Sequence, residues 1–357
     1  MFPHNFSPRI GSLFQILISS ESPVERIKAA YKLSTVNKKE EALEALTRGL
    51  IVPDPDLKLA ILDIFLQPEF LDFRIVKSLI PLLKDLNAEV REHASALLGT
   101  LKETEAIDPL IAALNQEDHD QVRFTIMAAL ANIGKKDIFP DLAKFISSQN
   151  WKDRYHVVDA IGMLGNEEAI PTLLKVLTDP HPKVRENAIL SVGHFNDPEI
   201  IDTLVYLLED EEIDVQGAAA FMLGEFKAQQ AVLHLLDFLK SSSEDLTLIS
   251  IEALAKIKDE QSLPGLIRLL NHPSKNISVA AQEALDAFSN MTILEPLISA
   301  LKNDVIIRYI EHRLKLYPEK KPIQQDNTKR MLAQLNLPMW VEMLLYEVLI
   351  ENKGKKR

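Results

Sequence analysis

Residues 179–195 read DPHPKVRENAILSVGHF, a stretch with no catalytic signature whose skeleton nevertheless returns thirty-one residues upstream, in QNWKDRYHVVDAIGML (149–164), and thirty-one downstream, in DEEIDVQGAAAFMLGEF (210–226). With Val184 as position zero, the equivalent residues are Glu25, Leu57, Val90, Val122, Asp153, Val215, Leu246 and Ile277, and successive separations along the chain are 32, 33, 32, 31, 31, 31, 31 and 31 residues. A period held that closely marks a stacked array of supersecondary units. Four residues on, the column reads Ala29, Ile61, Ala94, Ile126, Val157, Ala188, Ala219, Ser250 and Ala281; eight on, it reads Leu33, Phe65, Leu98, Leu130, Ile161, Val192, Leu223, Leu254 and Leu285. Offsets of zero, four and eight share one face of a helix. The ninth offset is often small, as at Gly99, Ala131, Gly162, Gly193, Gly224 and Ala255, which predicts close approach of a neighbouring helix.

A second buried stripe follows twenty residues past position zero, at Leu110, Leu142, Leu173, Leu204, Leu235, Leu266 and Leu297, and again four residues later at Leu114, Ile146, Leu177, Leu208, Leu239, Leu270 and Leu301. Prolines gather at its start (Pro109, Pro140, Pro171, Pro264, Pro296), where a missing N–H costs nothing. Ser22, Asp54, Asn87, Asn150, Ser243 and Ser274 precede the first helices as N-caps, and Ser22 with Glu25 has capping-box spacing. Each repeat is therefore helix, turn, helix. A lone pair of such helices cannot cover its own apolar faces, so the repeats must stack.

Composition agrees. Of 357 residues, 46% are hydrophobic but only 6% aromatic, with 11 glycines, a balance suited to helices packed through aliphatic side chains rather than to an all-β fold. The net charge of −12 argues against a surface built to neutralise phosphates, and so against nucleic acid as partner. No cysteine is present, which excludes disulfides and thiolate metal sites and fits a cytoplasmic setting. No run reaches the length of a membrane span.

The skeleton VRENAILSVGHF, with VREHASALLGTL, VRFTIMAALANI and AIPTLLKVLTDPHPKVR, resembles the HEAT-like repeat of the subclass named after phycobilisome lyases, over about residues 22–303. That resemblance implies an all-α fold, a right-handed α-solenoid (superhelix) of about nine two-helix HEAT-like repeats. Proteins built on this repeat serve as adaptors, enzymes and maturation factors. The deoxyhypusine hydroxylases among them bind iron through His-Glu dipeptides; none of the nine histidines here precedes a glutamate, and Glu92-His93 is reversed, so that activity is not supported. Arg154-Tyr155 is similar to an Arg-Tyr pair of the bilin lyases.

Three sets of residues are candidates for function. Arg91, Arg123, Arg154 and Arg185, one past position zero, make either a line of guanidinium groups for an anionic ligand or, the plainer reading, a ladder paired with carboxylates such as Asp120, Asp153 and Asp179. The resemblance implies that second helices line the concave face, and the twenty-second offset there reads Ala112, Lys144, Lys175, Tyr206, Asp237, Arg268 and Ser299: a mixed row able to grip a protein partner, with Tyr206 as anchor, or simply solvated surface. Phe124 and Tyr155, both two past position zero in adjacent repeats, make either a small apolar contact patch or side chains half-buried against the next repeat. The scattered histidines show no metal spacing, and no nucleophile–base pair or phosphate loop emerges, so no catalytic, cofactor or metal residues are assigned.

Three regions are expected: an N-terminal capping helix (1–21), in which Ser7-Pro8 precedes Ile10, Leu13, Phe14 and Leu17 at helical spacing; the array (22–303); and a C-terminal helical cap with a polar connector and basic tail (304–357), whose Trp340, Leu344 and Val348 would cover the last repeat or dock on a partner. The function expected is a non-catalytic protein-interaction scaffold or adaptor, with a lyase-like or maturation-factor enzyme as the alternative; partner and oligomeric state stay open.

Overall fold

In a computed structural model that describes residues 6–195 and 197–288, every regular element of the described residues is helical. The first helices of the repeats are α2 (Pro23–Ser34), α4 (Pro55–Phe65), α6 (Ala88–Leu101), α8 (Asp120–Ile133), α10 (Trp151–Leu164), α12 (Pro182–Val192), α14 (Ile213–Glu225), α16 (Glu244–Ile257) and α18 (Lys275–Asp286). Between them run the second helices α3 (Lys39–Gly49), α5 (Val76–Leu79), α7 (Ile107–Leu114), α9 (Phe139–Ala143), α11 (Ile170–Val176), α13 (Pro198–Leu207), α15 (Val232–Phe238) and α17 (Leu263–Leu269); α1 (Pro8–Ser19) precedes them all. The fold is an all-α solenoid. Its contacts divide it into two compact units, Met1–Asn196 and Asp197–Arg357.

Most second helices are short because a single 3-10 turn leads into them, as at Thr104–Ala106, Glu167–Ala169, Gln229–Ala231 and Glu260–Ser262. Pro140, Pro171 and Pro264 occupy the first turn, as the sequence predicts. In five repeats the turn between the two helices passes through a left-handed residue twelve past position zero: Gly134 and Gly165 adopt it without a Cβ to strain, while Lys102, Lys227 and Lys258 hold φ between 53° and 58°.

The two first-helix columns are the core. Every residue at the fourth offset is buried, and every residue at the eighth, from Leu33 to Leu285, has no exposed surface at all. At Gly99, Gly162 and Gly224 the ninth offset meets the seventh offset of the next repeat. A Cβ on Gly99 would lie 2.6 Å from Ala129 Cα, one on Gly162 2.8 Å from Ser191 Cβ, and one on Gly224 2.7 Å from Ala253 Cα. Small faces small, and the helix backbones almost touch.

The expected N-caps form at Ser22, Asp54, Asn87, Asn150 and Ser243, whose side chains accept backbone N–H groups of the first turn. Two details differ. Glu25 does not close a capping box with Ser22 but accepts from Ser20 Oγ at 2.9 Å, and Ser274 turns its hydroxyl to Glu244 at 2.8 Å instead of capping α18. Helix α1 packs on α2 and α3, with Ile10 and Leu17 buried and Leu13 and Phe14 half-buried. Leu297, Leu301, Pro296, Ser299 and the expected C-terminal cap lie outside the described residues.

The close approach predicts an inversion of helix propensity. Gly99→Ala gains up to ~1 kcal/mol of intrinsic propensity yet drives a methyl group into the Ala129 backbone, so a net loss of about 1–3 kcal/mol is expected in urea unfolding followed by circular dichroism. Gly217→Ala meets only the tip of Ile249, 3.3 Å away, and should leave stability unchanged or raise it. Equal behaviour of the two variants would contradict the packing described.

Candidate functional site

The arginines at the first offset form a staple. Arg154 Nε and Nη2 donate to Asp179 Oδ2 and Oδ1 at 2.7 and 2.8 Å, while its Nη1 reaches back to the carbonyl of Ser148 at 2.8 Å. Arg91 does the same with Glu117 (2.7 Å twice) and the carbonyl of Asp85 (2.8 Å). Arg185, buried, donates to the carbonyl of Asp179 at 2.8 Å. The forks of Arg91 and Arg154 thus tie the turn before their own helix to the turn before the next one. Earlier in the chain the same column pairs Arg26 with Asp54 (3.3 Å) and Lys58 with Asp85 (2.5 Å).

The acceptor of the staple sits five residues before position zero, a column the sequence reading did not pick out. Apart from Val52 in the second repeat, its members are Ser20, Asp85, Glu117, Ser148, Asp179, Asp210, Ser241 and His272, and the side chain of each of these eight accepts the backbone N–H two residues on, at 2.8–3.3 Å. This closes the turn into the next helix. Two positions break the pattern: Val52 cannot accept, so Arg26 pairs with Asp54 instead, and the second break is the more instructive. Ser148 stands where a carboxylate would, and Arg123 turns instead to Asp153 at 3.0 Å, whose other oxygen accepts from Ser148 Oγ at 2.8 Å. That is why an aspartate occupies position zero of this repeat, a column apolar elsewhere except at Glu25. The carboxylates expected to pair, Asp120, Asp153 and Asp179, all do.

The electrostatics follow the geometry. Hydrogen bonds from Arg91 hold the Glu117 carboxyl below its ordinary range despite partial burial. At Asp85 and Asp179 burial pushes upward, and the cation together with the turn N–H more than offsets it, so both also lie low. Arg91 and Arg154 are raised by the same hydrogen bonds. The guanidinium of Arg154, committed to Asp179 and Ser148, does not present a free Arg154-Tyr155 pair.

Phe124 and Tyr155 are half-buried, and they do not stack on one another. They belong to a larger row that sequence offsets concealed: Phe124 stacks on His156 (3.8 Å, 25°), His156 meets the edge of Tyr155 (5.1 Å, 78°), Tyr155 meets Trp151 edge-on (6.5 Å, 86°), and Trp151 stacks on His181 (4.0 Å, 6°). The row runs over α8, α10 and the residue capping α12. Burial lowers the His156 pKa, outweighing the nearby Asp159 and Asp153.

From the third repeat on, the described twenty-second-offset residues are all exposed: Ala112, Lys144 and Lys175 in the first compact unit, Tyr206, Asp237 and Arg268 in the second. Lys144 pairs with Asp141 (2.6 Å) and Asp237 with Lys240 (2.8 Å) on their own helices or turns. Within the described residues Lys175, Tyr206 and Arg268 have no side-chain partner, and Tyr206 is 71% exposed. Among the described residues no group of three or more histidines, aspartates and glutamates is placed to hold a metal ion, and no helix is long and apolar enough to cross a membrane.

Repeats of this geometry define a class. The HEAT repeat model matches residues 76–146, 139–211, 170–254 and 201–286, more than half of the sequence, and the chain belongs to the HEAT repeat proteins. No protein of curated function matches it. Among solved structures it is similar to importin beta (13% identity, TM-score 0.54, covering 95% of this chain and 56% of that one) and to the E. coli protein YibA (20% identity, TM-score 0.51, 80% and 99%). The complex of CpcE and CpcF of phycocyanin lyase from Nostoc sp. PCC7120 matches at 20% identity and TM-score 0.40, over 66% of this chain and 92% of that one. These likenesses are likenesses of fold.

The staple makes stability acid-sensitive in a defined sense. A carboxylate whose folded pKa is depressed contributes stability that is complete above its unfolded value of about 4 and is lost as pH falls toward the folded value. Arg154→Ala should lower stability at neutral pH by about 1–3 kcal/mol and flatten the acid limb of the stability curve below about pH 4, both read from denaturant titrations. His156 adds a second step: the unfolded chain takes up its proton first, so stability should begin to fall below about pH 6.5. His156→Phe should remove that step.

Proposed function

We propose that this HEAT-repeat chain is a non-catalytic scaffold or adaptor that binds a protein partner in the cytoplasm through side chains displayed on its second helices. The observation that carries the reading is the contrast between two sets of residues. The charged columns that might have met a ligand are engaged with one another, whereas Lys175, Tyr206 and Arg268 stand exposed without a partner among the described residues. A phenol ring 71% exposed on a short rigid helix contributes little to folding and is well suited to anchoring an interface. Because the backbone beneath is already ordered, association costs little conformational entropy on this side. The absence of cysteine suits a reducing compartment. We also propose that α1 closes the N-terminal end of the array; residues 304–357 are assigned the same role at the other end and lie outside the described residues.

Affinity purification with mass spectrometry tests this. One protein partner in stoichiometric amount is expected, lost on Tyr206→Ala and on Lys175→Glu while circular dichroism shows the fold intact. A purified protein carrying a visible-light chromophore, or a partner retained by both variants, would turn the assignment toward the lyase-like alternative or toward another face.

A further inference from the structure

Between the turn that follows α3 and the segment that follows α5 lies a groove of about 1010 Å³, lined by some of the residues between 47 and 58 and between 77 and 87, Asp54 and Asp56 not among them. It occurs where the second helix is most broken. α5 has four residues and gives way to a 3-10 stretch, Ile80–Lys84, that contains Pro81. Two aliphatic side chains in its lining face water almost completely, Ile51 at 82% and Leu86 at 102% exposure.

Neither position is aliphatic elsewhere in the array. The equivalents of Ile51 in the later turns are Lys84, Gln116, Ser147, Thr178, Glu209, Lys240 and Asn271, and those of Leu86 are Pro53, Asp118, Gln149, Pro180, Glu211, Ser242 and Pro273. The repeat geometry therefore does not require an aliphatic residue at either place, and two bare aliphatic side chains in one groove imply a surface that covers them.

Charge indicates what that surface carries. The lining holds four cations, Arg48, Lys58, Lys77 and Lys84, against one carboxylate, Asp85, on a chain whose net charge is −12. Arg48 is paired with Glu44, and Lys58 with Asp85 at 2.5 Å. Lys77 has only an exposed contact with Glu105 at 4.0 Å, and Lys84 has no ion pair among the described residues. Two lysines thus stand beside two exposed aliphatic residues. Successive helices stack about 10 Å apart, a distance that two anchor side chains of one peptide reach at a seven-residue helical spacing.

We propose that this groove binds an acidic segment of a protein partner, with two aliphatic side chains seated on Ile51 and Leu86 and carboxylates on Lys77 and Lys84. The proposal rests on the scaffold reading and places a second docking surface away from Tyr206. A flat bilayer surface does not follow a concave groove, whereas a single peptide segment does.

A random peptide library displayed on phage and selected on the purified full-length protein tests it, with fluorescence-polarisation titrations of the selected peptides. Expected are peptides of net negative charge with paired aliphatic residues, binding at least tenfold more weakly to Lys84→Glu and to Leu86→Ser and weakening as salt is raised. Both positions are exposed, so both variants should keep the wild-type circular dichroism. Selected peptides that are neutral or basic, peptides that bind the two variants as well as wild type, or the recovery of no peptides at all would overturn the groove assignment. So would groove-dependent binding of phosphatidylserine vesicles in place of peptide. Peptides lost on Tyr206→Ala but kept on Leu86→Ser would overturn it while leaving the scaffold reading standing, whereas failure of the scaffold reading itself would show in the affinity purification.

Discussion

First helices of successive repeats approach until backbone meets small side chain, and the rest of the array is arranged around that contact. Gly99 lies against Ala129, Gly162 against Ser191 and Gly224 against Ala253, with no room for a methyl group at the glycine. At that separation the fourth- and eighth-offset residues of neighbouring helices seal one another from water completely. A helix pair standing alone would leave both columns wet, so the stability of each repeat resides in its interfaces. The arginine staple fixes the register of the same contact from its edge, because one guanidinium holds both the turn before its own helix and the turn before the next.

The buried columns were legible in the sequence because they obey two periods at once, the helical turn and the repeat length. Side chains whose position is dictated by both can be read by counting, and Leu33 to Leu285 are such a case. The glycine contacts were legible for the same reason. What counting missed lay off the columns or changed chemical type within one. The turn-closing acceptors five residues before position zero are Asp, Glu, Ser and His, united by an accepting atom and not by a residue type. Glu117 as the partner of Arg91 was hidden in the same way. Trp151, His156 and His181 occupy three different offsets, and only the superposition of adjacent helices brings their rings together. The exposure of the twenty-second-offset residues was legible; which of them lack a partner was not, since that depends on whether a helix neighbour such as Asp141 or Lys240 reaches them.

Function in such a chain divides along the same line. Residues that repeat serve the stack, and their charges are satisfied internally. Residues that break the repeat without a structural compensation are the ones left facing outward. Asp153 breaks a column and is compensated by Arg123 and Ser148. Ile51 and Leu86 break theirs and are not.

Hydrogen exchange of the full-length chain carrying Gly162→Val, compared with wild type by mass spectrometry, tests the interface account most directly. If stability resides in contacts between neighbours, protection should fall in α10 and α12 first, extend to α8, and leave α2 and α4 close to wild type. Uniform loss of protection along the whole chain, or no loss at all, would contradict the claim that these small-on-small contacts hold the array together.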